Sequence, residues 1–155
     1  MTTPKTIYPS NGDCDLSVAH LPQFAREPRL AQAQPQTTSI GTLSAYSGGY
    51  SRVYPVQSGS GKYALRCWTA DVGDAQERYR QIDAYLDSKP LPYFVEFDYL
   101  EKALVIKGQH YPVLWMEWAE GPRLREFIGQ NLGNKPVLRQ LAQAFRQMVA
   151  DLHAA

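Results

Sequence analysis

The strongest constraint on the fold is the stretch from Ser44 to Trp68, which reads SAYSGGYSRVYPVQSGSGKYALRCW. It predicts two short strands, Ser51–Val56 and Lys62–Trp68, with Gly48-Gly49 before the first and a Gly/Ser turn between them. Because glycine has no Cβ, a glycine pair lets the backbone come close to a bulky group. The turn brings the second strand, with Arg66 near its end, beside the same space. This pattern predicts a flap that covers a phosphate, with a cation beneath it.

The composition narrows the class of protein. The 155 residues are enough for one domain with a sizeable core, or for part of a larger one, and 44% hydrophobic with 20% charged residues is ordinary for a globular chain. A formal net charge of +1 provides no basic excess, so we expect no nucleic-acid partner and no membrane-surface partner. The opening residues lack the apolar core of a signal peptide, and no run is apolar enough to span a membrane. We therefore expect a cytoplasmic protein.

The cysteines and histidines do not suggest a metal site. Cys14 and Cys67 are far apart in the sequence, which predicts two reduced thiols. His20, His110 and His153 share no spacing typical of metal ligands. The expected metal content is none.

The order of the predicted elements indicates an α+β fold. Residues 1–39 contain five prolines and no regular period, so we expect an N-terminal arm without chemistry. Residues 40–118 predict about five antiparallel strands and one packed helix, which runs from Asp74 to Leu86. After the helix, residues 93–100 and 103–106 predict strands, and a turn at Lys107-Gly108-Gln109 leads into a further strand at residues 111–118. Residues 119–155 predict a hinge followed by two helices. We expect these three ranges to be the domains of the chain.

The last predicted helix has a wide apolar face. The residues that form it include Leu138, Leu141, Phe145, Met148 and Leu152. Such a stripe must be covered by a further lobe, by a protein partner, by a second copy of the chain, or by collapse onto the sheet.

A Walker-type phosphate loop at Gly59-Ser60-Gly61-Lys62 does not fit the sequence. The motif G-x-x-x-x-G-K-[ST] needs glycine where Val56 stands and a hydroxyl residue where Tyr63 stands. The segment also leads into a strand, whereas the motif leads into a helix. We predict a hairpin turn here.

Several segments, taken in order, resemble the N-terminal lobe of a protein kinase. Residues 46–53, YSGGYSRV, resemble the glycine-rich loop G-x-G-x-x-G-x-V, and residues 63–66, YALR, resemble V-A-I-K on the third strand. Residues 114–121, LWMEWAEG, are similar to the hinge between lobes. Residues 141–153, LAQAFRQMVADLH, are similar to the long helix before the catalytic loop. The resemblance covers residues 40–155 and is nearest to bacterial kinase-like families with arginine on this strand.

The resemblance implies an ATP site on this lobe. It assigns nucleotide binding to Gly48, Gly49, Tyr50, Ser51, Val53, Ala64, Arg66, Met116, Glu117 and Ala119. Val53 and Ala64 would pack on opposite faces of the adenine, with Met116 behind it. The carbonyl of Glu117 and the amide of Ala119 would form its hydrogen-bonding edge.

Three departures from the family pattern qualify this expectation. Tyr46 and Ser51 replace the first and third glycines, so the loop should be stiffer. Arg66 replaces the lysine; its guanidinium could bind phosphate oxygens, or be locked by a carboxylate and turn a nucleotide away. The sequence stops before any H-R-D or D-F-G segment, so we expect no catalytic residue in this chain and Mg²⁺ only with a complete C-lobe.

The predicted helix offers two acidic partners for Arg66. Glu77 lies two positions from Tyr79, which places it about 160° from the apolar stripe. Asp83 lies four positions beyond Tyr79, at the edge of the buried face, and its separation from Arg66 (83 − 66 = 17 positions) suits the helix placement of the family. We favour an Arg66–Asp83 ion pair; the alternative is that Asp83 only borders a solvated face.

Three functions stay open at this point. The first is the ATP-binding lobe of a protein kinase, which would transfer a phosphoryl group to protein hydroxyls only when a C-lobe completes it. The second is a catalytically inactive, pseudokinase-type regulatory module. The third is an interaction domain that binds another protein through its sheet and its last helix.

Overall fold

A computed structural model describes residues 7–155 of the chain. Its contacts divide the chain into two units, residues 7–84 with 95–118, and residues 85–94 with 119–155. The predicted domain boundary between residues 118 and 119 coincides with a boundary between these units. The predicted boundary between residues 39 and 40 has no counterpart, because residues 7–39 fold into the first unit.

An open antiparallel sheet dominates the first unit and confirms the α+β class. In residues 7–155 its six strands are β1 (Gln34–Pro35), β2 (Tyr46–Ser47), β3 (Ser51–Ser58), β4 (Gly61–Trp68), β5 (Phe97–Ile106) and β6 (Gln109–Glu117). The order is β1-β3-β4-β6-β5, and β2 also pairs with β3. About five strands were expected; the additional strand β1 lies within the segment that was expected to be an arm.

The helices of the first unit are α1 (Asn11–Ala19), α2 (Leu21–Phe24), α3 (Pro28–Ala31) and most of α4 (Ala75–Ser88). Buried side chains from α1, α2 and α3, among them Val18, Leu21 and Leu30, form one core cluster with sheet residues such as Tyr54 and Leu65. Residues 7–39 are therefore part of the core, unlike the arm expected from the sequence.

The prolines of this segment explain the difference. Pro22 and Pro28 lie in the first turns of α2 and α3, where a proline costs no intrahelical hydrogen bond and its fixed φ suits the helix. They mark the starts of short helices, whereas the sequence pattern suggested irregular chain. Ser10 and Asp13 add a capping box at the start of α1.

The last strands of the sheet also differ from the prediction in detail. Two strands were expected in residues 93–106, but β5 is a single strand with a shift in register between Leu100 and Leu104. The predicted turn at Lys107-Gly108 connects it to β6, with both residues at positive φ.

The second unit consists of residues 85–94, helix α5 (Leu124–Gln130) and helix α6 (Lys135–Ala154). The hydroxyl of Tyr93 donates a hydrogen bond to the carboxylate of Asp151 within this unit. Helix α6 is strongly amphipathic, as predicted, and none of its residues is buried. Among the residues from 7 onward, no helix combines the length and the apolar character needed to cross a membrane.

Candidate functional site

The register of the strands decides which predicted site residues share a face of the sheet. Val53 pairs with Arg66, and Ala64 pairs with Met116. Paired residues project their side chains to the same side of an antiparallel sheet, and successive residues alternate. These four side chains therefore lie on one face, which we call the site face. Tyr54, Leu65 and Trp115, which are their neighbours in sequence, point to the opposite face and enter the core with α1–α3.

The predicted flap is a hairpin formed by β2 and β3. Tyr46 pairs with Val53, and Ser47 pairs with Arg52. The turn is closed by the amide of Gly48, which donates to the carbonyl of Ser51 at 2.8 Å. Gly48, Gly49 and Tyr50 are exposed at its tip.

The fold itself does not require glycine at the tip of the flap. Neither Gly48 nor Gly49 has a positive φ. A Cβ on Gly48 would lie 3.7 Å from the carbonyl oxygen of Ser51, which is an ordinary contact, and a Cβ on Gly49 would meet nothing within 4 Å. Close approach of a ligand remains a physical reason for glycine at these two positions.

Arg66 lies on the site face and is held by two hydroxyl groups. Its Nε donates to Oγ of Ser51 at 2.9 Å, and Nη1 donates to the hydroxyl of Tyr79 at 3.3 Å. Its guanidinium carbon is 5.9 Å from the ring centre of Trp68. Both hydrogen-bond partners of Arg66 are therefore neutral hydroxyl groups.

The predicted ion pair between Arg66 and Asp83 does not form. Among residues 7–155 no salt bridge joins Arg66 to a carboxylate, and Asp83 is exposed. Glu77, the other candidate, pairs with Arg80 at 2.7 Å on the solvent side of α4. The site residues that the structure brings to Arg66 are Ser51 and Tyr79.

Tyr79 explains why no acid reaches Arg66. Its ring lies 5.9 Å from Trp68, 5.6 Å from Phe97 and 6.0 Å from Tyr99, measured between ring centres. This aromatic cluster fills the space between α4 and the sheet. The hydroxyl of Tyr79 reaches beyond it and accepts the hydrogen bond from the guanidinium of Arg66. Sequence reasoning treated Tyr79 only as an apolar position of the helix. The available signal was the hydroxyl of this half-buried tyrosine, since a tyrosine packed against other rings usually directs its hydroxyl to a hydrogen-bond partner.

The predicted hinge residues lie at the end of β6: Met116 and Glu117 are its last two residues, and Ala119 follows the strand. Met116 is half-buried on the site face and Glu117 is exposed. The amide of Glu117 donates to the carbonyl of Glu96 at 3.0 Å, and the amide of Trp118 donates to the carbonyl of Lys62 at 3.2 Å. Ala119 is exposed and is the first residue of this segment in the second unit.

The segment Gly59-Ser60 forms the turn between β3 and β4, as predicted. Ser58 pairs with Gly61 on either side of it, and Gly59 has a φ of +56°, which favours glycine. Lys62 is the second residue of β4. This geometry is that of a two-residue hairpin loop.

A separate cleft of about 550 Å³ opens at the start of α4. Its lining includes Trp68, Tyr99, Gly73, Glu77 and Arg80. None of the residues predicted to bind a nucleotide is among its lining residues. In the part of the chain that the structure describes, no cluster of three or more His, Cys, Asp or Glu side chains is arranged to hold a metal ion.

Comparison of the chain with protein-family models, with curated proteins and with solved structures finds no match.

Proposed function

We propose that residues 40–118 are the ATP-binding lobe of a protein-kinase-like protein in the cytoplasm. In this proposal the nucleotide lies against the site face, under the flap formed by β2 and β3. Phosphoryl transfer to a protein hydroxyl, and the Mg²⁺ that it needs, require a C-lobe with a catalytic loop. The residues of this chain bind and orient the nucleotide.

The observation that carries the proposal is the shared face of four predicted residues from three strands. Val53 from β3, Ala64 and Arg66 from β4, and Met116 from β6 were chosen from separate motifs, and the register places them on one surface. A register shift of one residue in any of these strands would turn the predicted side chain to the opposite face of the sheet, which forms the core. Three apolar side chains beside one cation suit a ligand with a flat apolar part and an anionic part.

The neutral hydrogen-bond partners of Arg66 support the same ligand class. Its partners are the hydroxyls of Ser51 and Tyr79, so a phosphate would gain a charge-assisted contact without breaking an ion pair. The exposed tip of the flap, Gly48-Gly49-Tyr50, would cover the phosphates. The backbone of Glu117 and Ala119 would bind the edge of the adenine.

Thermal unfolding with ATP tests the proposal. We expect millimolar ATP to raise the unfolding midpoint, because a ligand present at about 100 times its Kd stabilises the folded state by about 2.7 kcal/mol. Arg66→Ala should remove this rise. Arg80→Ala is the matched control, since Arg80 is an exposed arginine on α4 whose partner is Glu77. The proposal fails if the wild-type midpoint does not move, or if both variants respond as the wild type does.

The pseudokinase-type regulatory module is the second candidate, and one observation favours it. Active protein kinases pair the strand lysine with a helix glutamate, whereas the hydrogen bonds of Arg66 within the described residues go to the hydroxyls of Ser51 and Tyr79. For this candidate we expect the ATP-induced shift to be the same with Mg²⁺ and with a chelator. A shift that appears only with Mg²⁺ would favour the catalytic form.

The partner of α6 belongs to the same proposal. The face formed by Leu138, Leu141, Phe145, Met148 and Leu152 has no buried member, and Phe145 is 53% exposed. We propose that a C-lobe or a protein partner covers this face. If instead two copies of the chain cover this face of each other, sedimentation will show self-association. Phe145→Asp should abolish the self-association, and the control Arg146→Asp should leave it intact.

A further inference from the structure

The cleft at the start of α4 lies within the first unit and contains none of the residues assigned to the nucleotide. Its volume of about 550 Å³ is in the range of pockets that hold small organic molecules. Three aromatic residues from separate parts of the chain line it, namely Tyr8, Trp68 and Tyr99. Aromatic side chains gathered in a cleft of this size suit an organic ligand with apolar groups.

Contacts within the first unit hold these aromatic residues in place. The ring centres of Trp68 and Tyr99 are 5.7 Å apart, and Trp68 is only 4% exposed, so packing sets the position of its ring. Oδ1 of Asp71 accepts a hydrogen bond from the amide of Gly73 at 2.8 Å, and the hydroxyl of Tyr8 lies 3.5 Å from the same oxygen. The lining is therefore organised before a ligand arrives, which lowers the entropic cost of binding.

The charged side chains of the lining carry a net negative charge. Asp74 and Glu77 contribute two negative charges and Arg80 one positive charge, which leaves −1. Arg80 donates two hydrogen bonds to Glu77, at 2.7 and 2.9 Å, so these two charges compensate each other. Asp74 pairs with Arg78, which is not a lining residue, and the pair is weak because both side chains are exposed. The carboxylate of Asp74 therefore sets the sign of the charge that a ligand meets.

An anion does not suit this cleft, although the backbone amides at the start of a helix attract anions. Three carboxylates of the chain, those of Asp71, Asp74 and Glu77, lie in the lining or contact it. The amide of Gly73 already donates to one of them. A bound phosphate or carboxylate would be repelled by these groups, whereas a cation would be attracted.

We propose that the cleft binds a small organic cation of the methylated ammonium class. Its methyl groups would contact the aromatic residues, and its charge would lie near Asp74. Methylated ammonium ions combine apolar surface with a positive charge, and the electron-rich faces of aromatic rings attract them. The inference is independent of the proposed nucleotide function, because the two sites use different residues.

An NMR titration of the full, isotope-labelled chain tests the inference with choline as the probe. We expect saturable shifts of the amide signals of residues 72–77 and of Tyr99, and no shifts at residues 48–53 of the flap. The neutral alcohol in which carbon replaces the nitrogen of choline has the same shape and no charge. It should bind about ten-fold more weakly, because it lacks the attraction between a cation and the rings.

Three outcomes of the titration would overturn the inference. The first is the absence of saturable shifts at residues 72–77 with choline. The second is equal affinity for choline and for the neutral alcohol, which would mean that the cleft binds apolar groups without regard to charge. The third is that inorganic phosphate shifts these signals and choline does not, which would make the start of α4 an anion site.

Charge variants at the start of α4 extend the test. Asp74→Asn should weaken choline binding about five-fold, the effect of one unit charge near contact in water. Arg80→Gln frees Glu77 from its ion pair and should strengthen choline binding by a similar factor. Asp83→Asn is the matched control, because Asp83 is an exposed acid of the same helix outside the lining, and it should leave the affinity unchanged.

The pattern of the three variants is as decisive as the titration of the wild type. Equal losses with Asp74→Asn and Asp83→Asn, or weaker binding with Arg80→Gln, would also overturn the inference. All three side chains are exposed, so we expect the variants to fold. Because the titration of the wild-type chain decides by itself whether the cation binds, a variant that fails to fold does not protect the inference.

Discussion

At the scale of single residues, Arg66 shows how a cation can be positioned without being neutralised. Ser51 and Tyr79 fix two of its nitrogen atoms through neutral oxygens. A carboxylate in either place would have cancelled the charge that an anionic ligand needs. The expectation of an acidic partner came from the spacing of α4, and it failed because Tyr79 occupies the space between the helix and Arg66.

Asp15 is the residue with the largest structural role that the sequence did not reveal. Its carboxylate accepts two hydrogen bonds from the guanidinium of Arg52 and a third from the hydroxyl of Tyr54 at 2.7 Å. Burial, followed by this hydrogen bond, raises the pKa of Tyr54 well above its ordinary value. A lone aspartate in a region without a regular period gives no pattern from which such a role can be predicted.

Replacing Asp15 should destabilise the protein strongly. Asp15→Ala leaves the hydroxyl of Tyr54, a fully buried residue, and the guanidinium of Arg52 without this acceptor, so we expect a loss of about 2–3 kcal/mol in the free energy of unfolding. Urea unfolding measures it. The control is Asp74→Ala, which removes an exposed pair with Arg78 and should cost less than about 0.5 kcal/mol. Equal losses in the two variants would contradict the role of Asp15.

At the scale of elements, α1 is attached to the sheet at its first turn. Asp13 accepts from the backbone and side chain of Ser10, and the Nζ of Lys107 in the β5–β6 turn lies 2.9 Å from its Oδ1. Hydrogen bonding from Lys107, followed by that from Ser10, lowers the pKa of Asp13 from 3.8 to about 2. The ionised carboxylate is therefore the form that the fold stabilises.

The contribution of Asp13 to stability should depend on pH. A folded-state pKa below the unfolded value means that the contribution is complete above the unfolded value of 3.8 and is lost as the pH falls toward about 2. We therefore expect the stability difference between the wild type and Asp13→Asn to be constant at about pH 5 to 7 and to shrink below 3.8. Urea unfolding of both proteins over this range measures it. A difference that stays constant at low pH would contradict the assignment.

The sequence predicted some helices and strands and missed others. The strands β3, β4 and β6 and the helices α4 and α6 have regular periods and were expected near their observed positions. Helices α2 and α3 were missed because they have four residues each, too few to show a period, and each has a proline in its first turn. The sequence predicted two strands where the structure has the single strand β5, because Glu101 and Lys102 interrupt its apolar pattern.

At the scale of the whole molecule, the N-terminal segment completes the core. Without α1–α3, the face of the sheet that carries Tyr54, Leu65 and Trp115 would be exposed to water. The residues of the site face could be predicted because two local properties identify them. These are the alternation of side chains along a strand and the spacing of residues within each motif. The layer that covers the opposite face depends on contacts between distant residues that no local pattern encodes.

Leucines of the N-terminal segment test this conclusion. Leu30 is fully buried, so Leu30→Ala should lower the free energy of unfolding by about 2–4 kcal/mol through lost burial and a residual cavity. Leu16 is 62% exposed on α1, so Leu16→Ala should change stability by no more than about 0.5 kcal/mol. Guanidinium unfolding compares the two. Small, equal changes would mean that the segment is the arm first expected from the sequence.

The short strands at the margins of the sheet bear on aggregation. Two two-residue strands, β1 and β2, cover successive parts of the same edge of β3. At the other margin, the register of β5 shifts between Leu100 and Leu104, as at a β-bulge, and Ala25 bridges to Leu104. Long, flat edges recruit strands of other molecules into fibrils, and short or bent edges resist this. We therefore expect copies of the folded chain to associate through helical surfaces, and fibril growth to require prior unfolding of a margin.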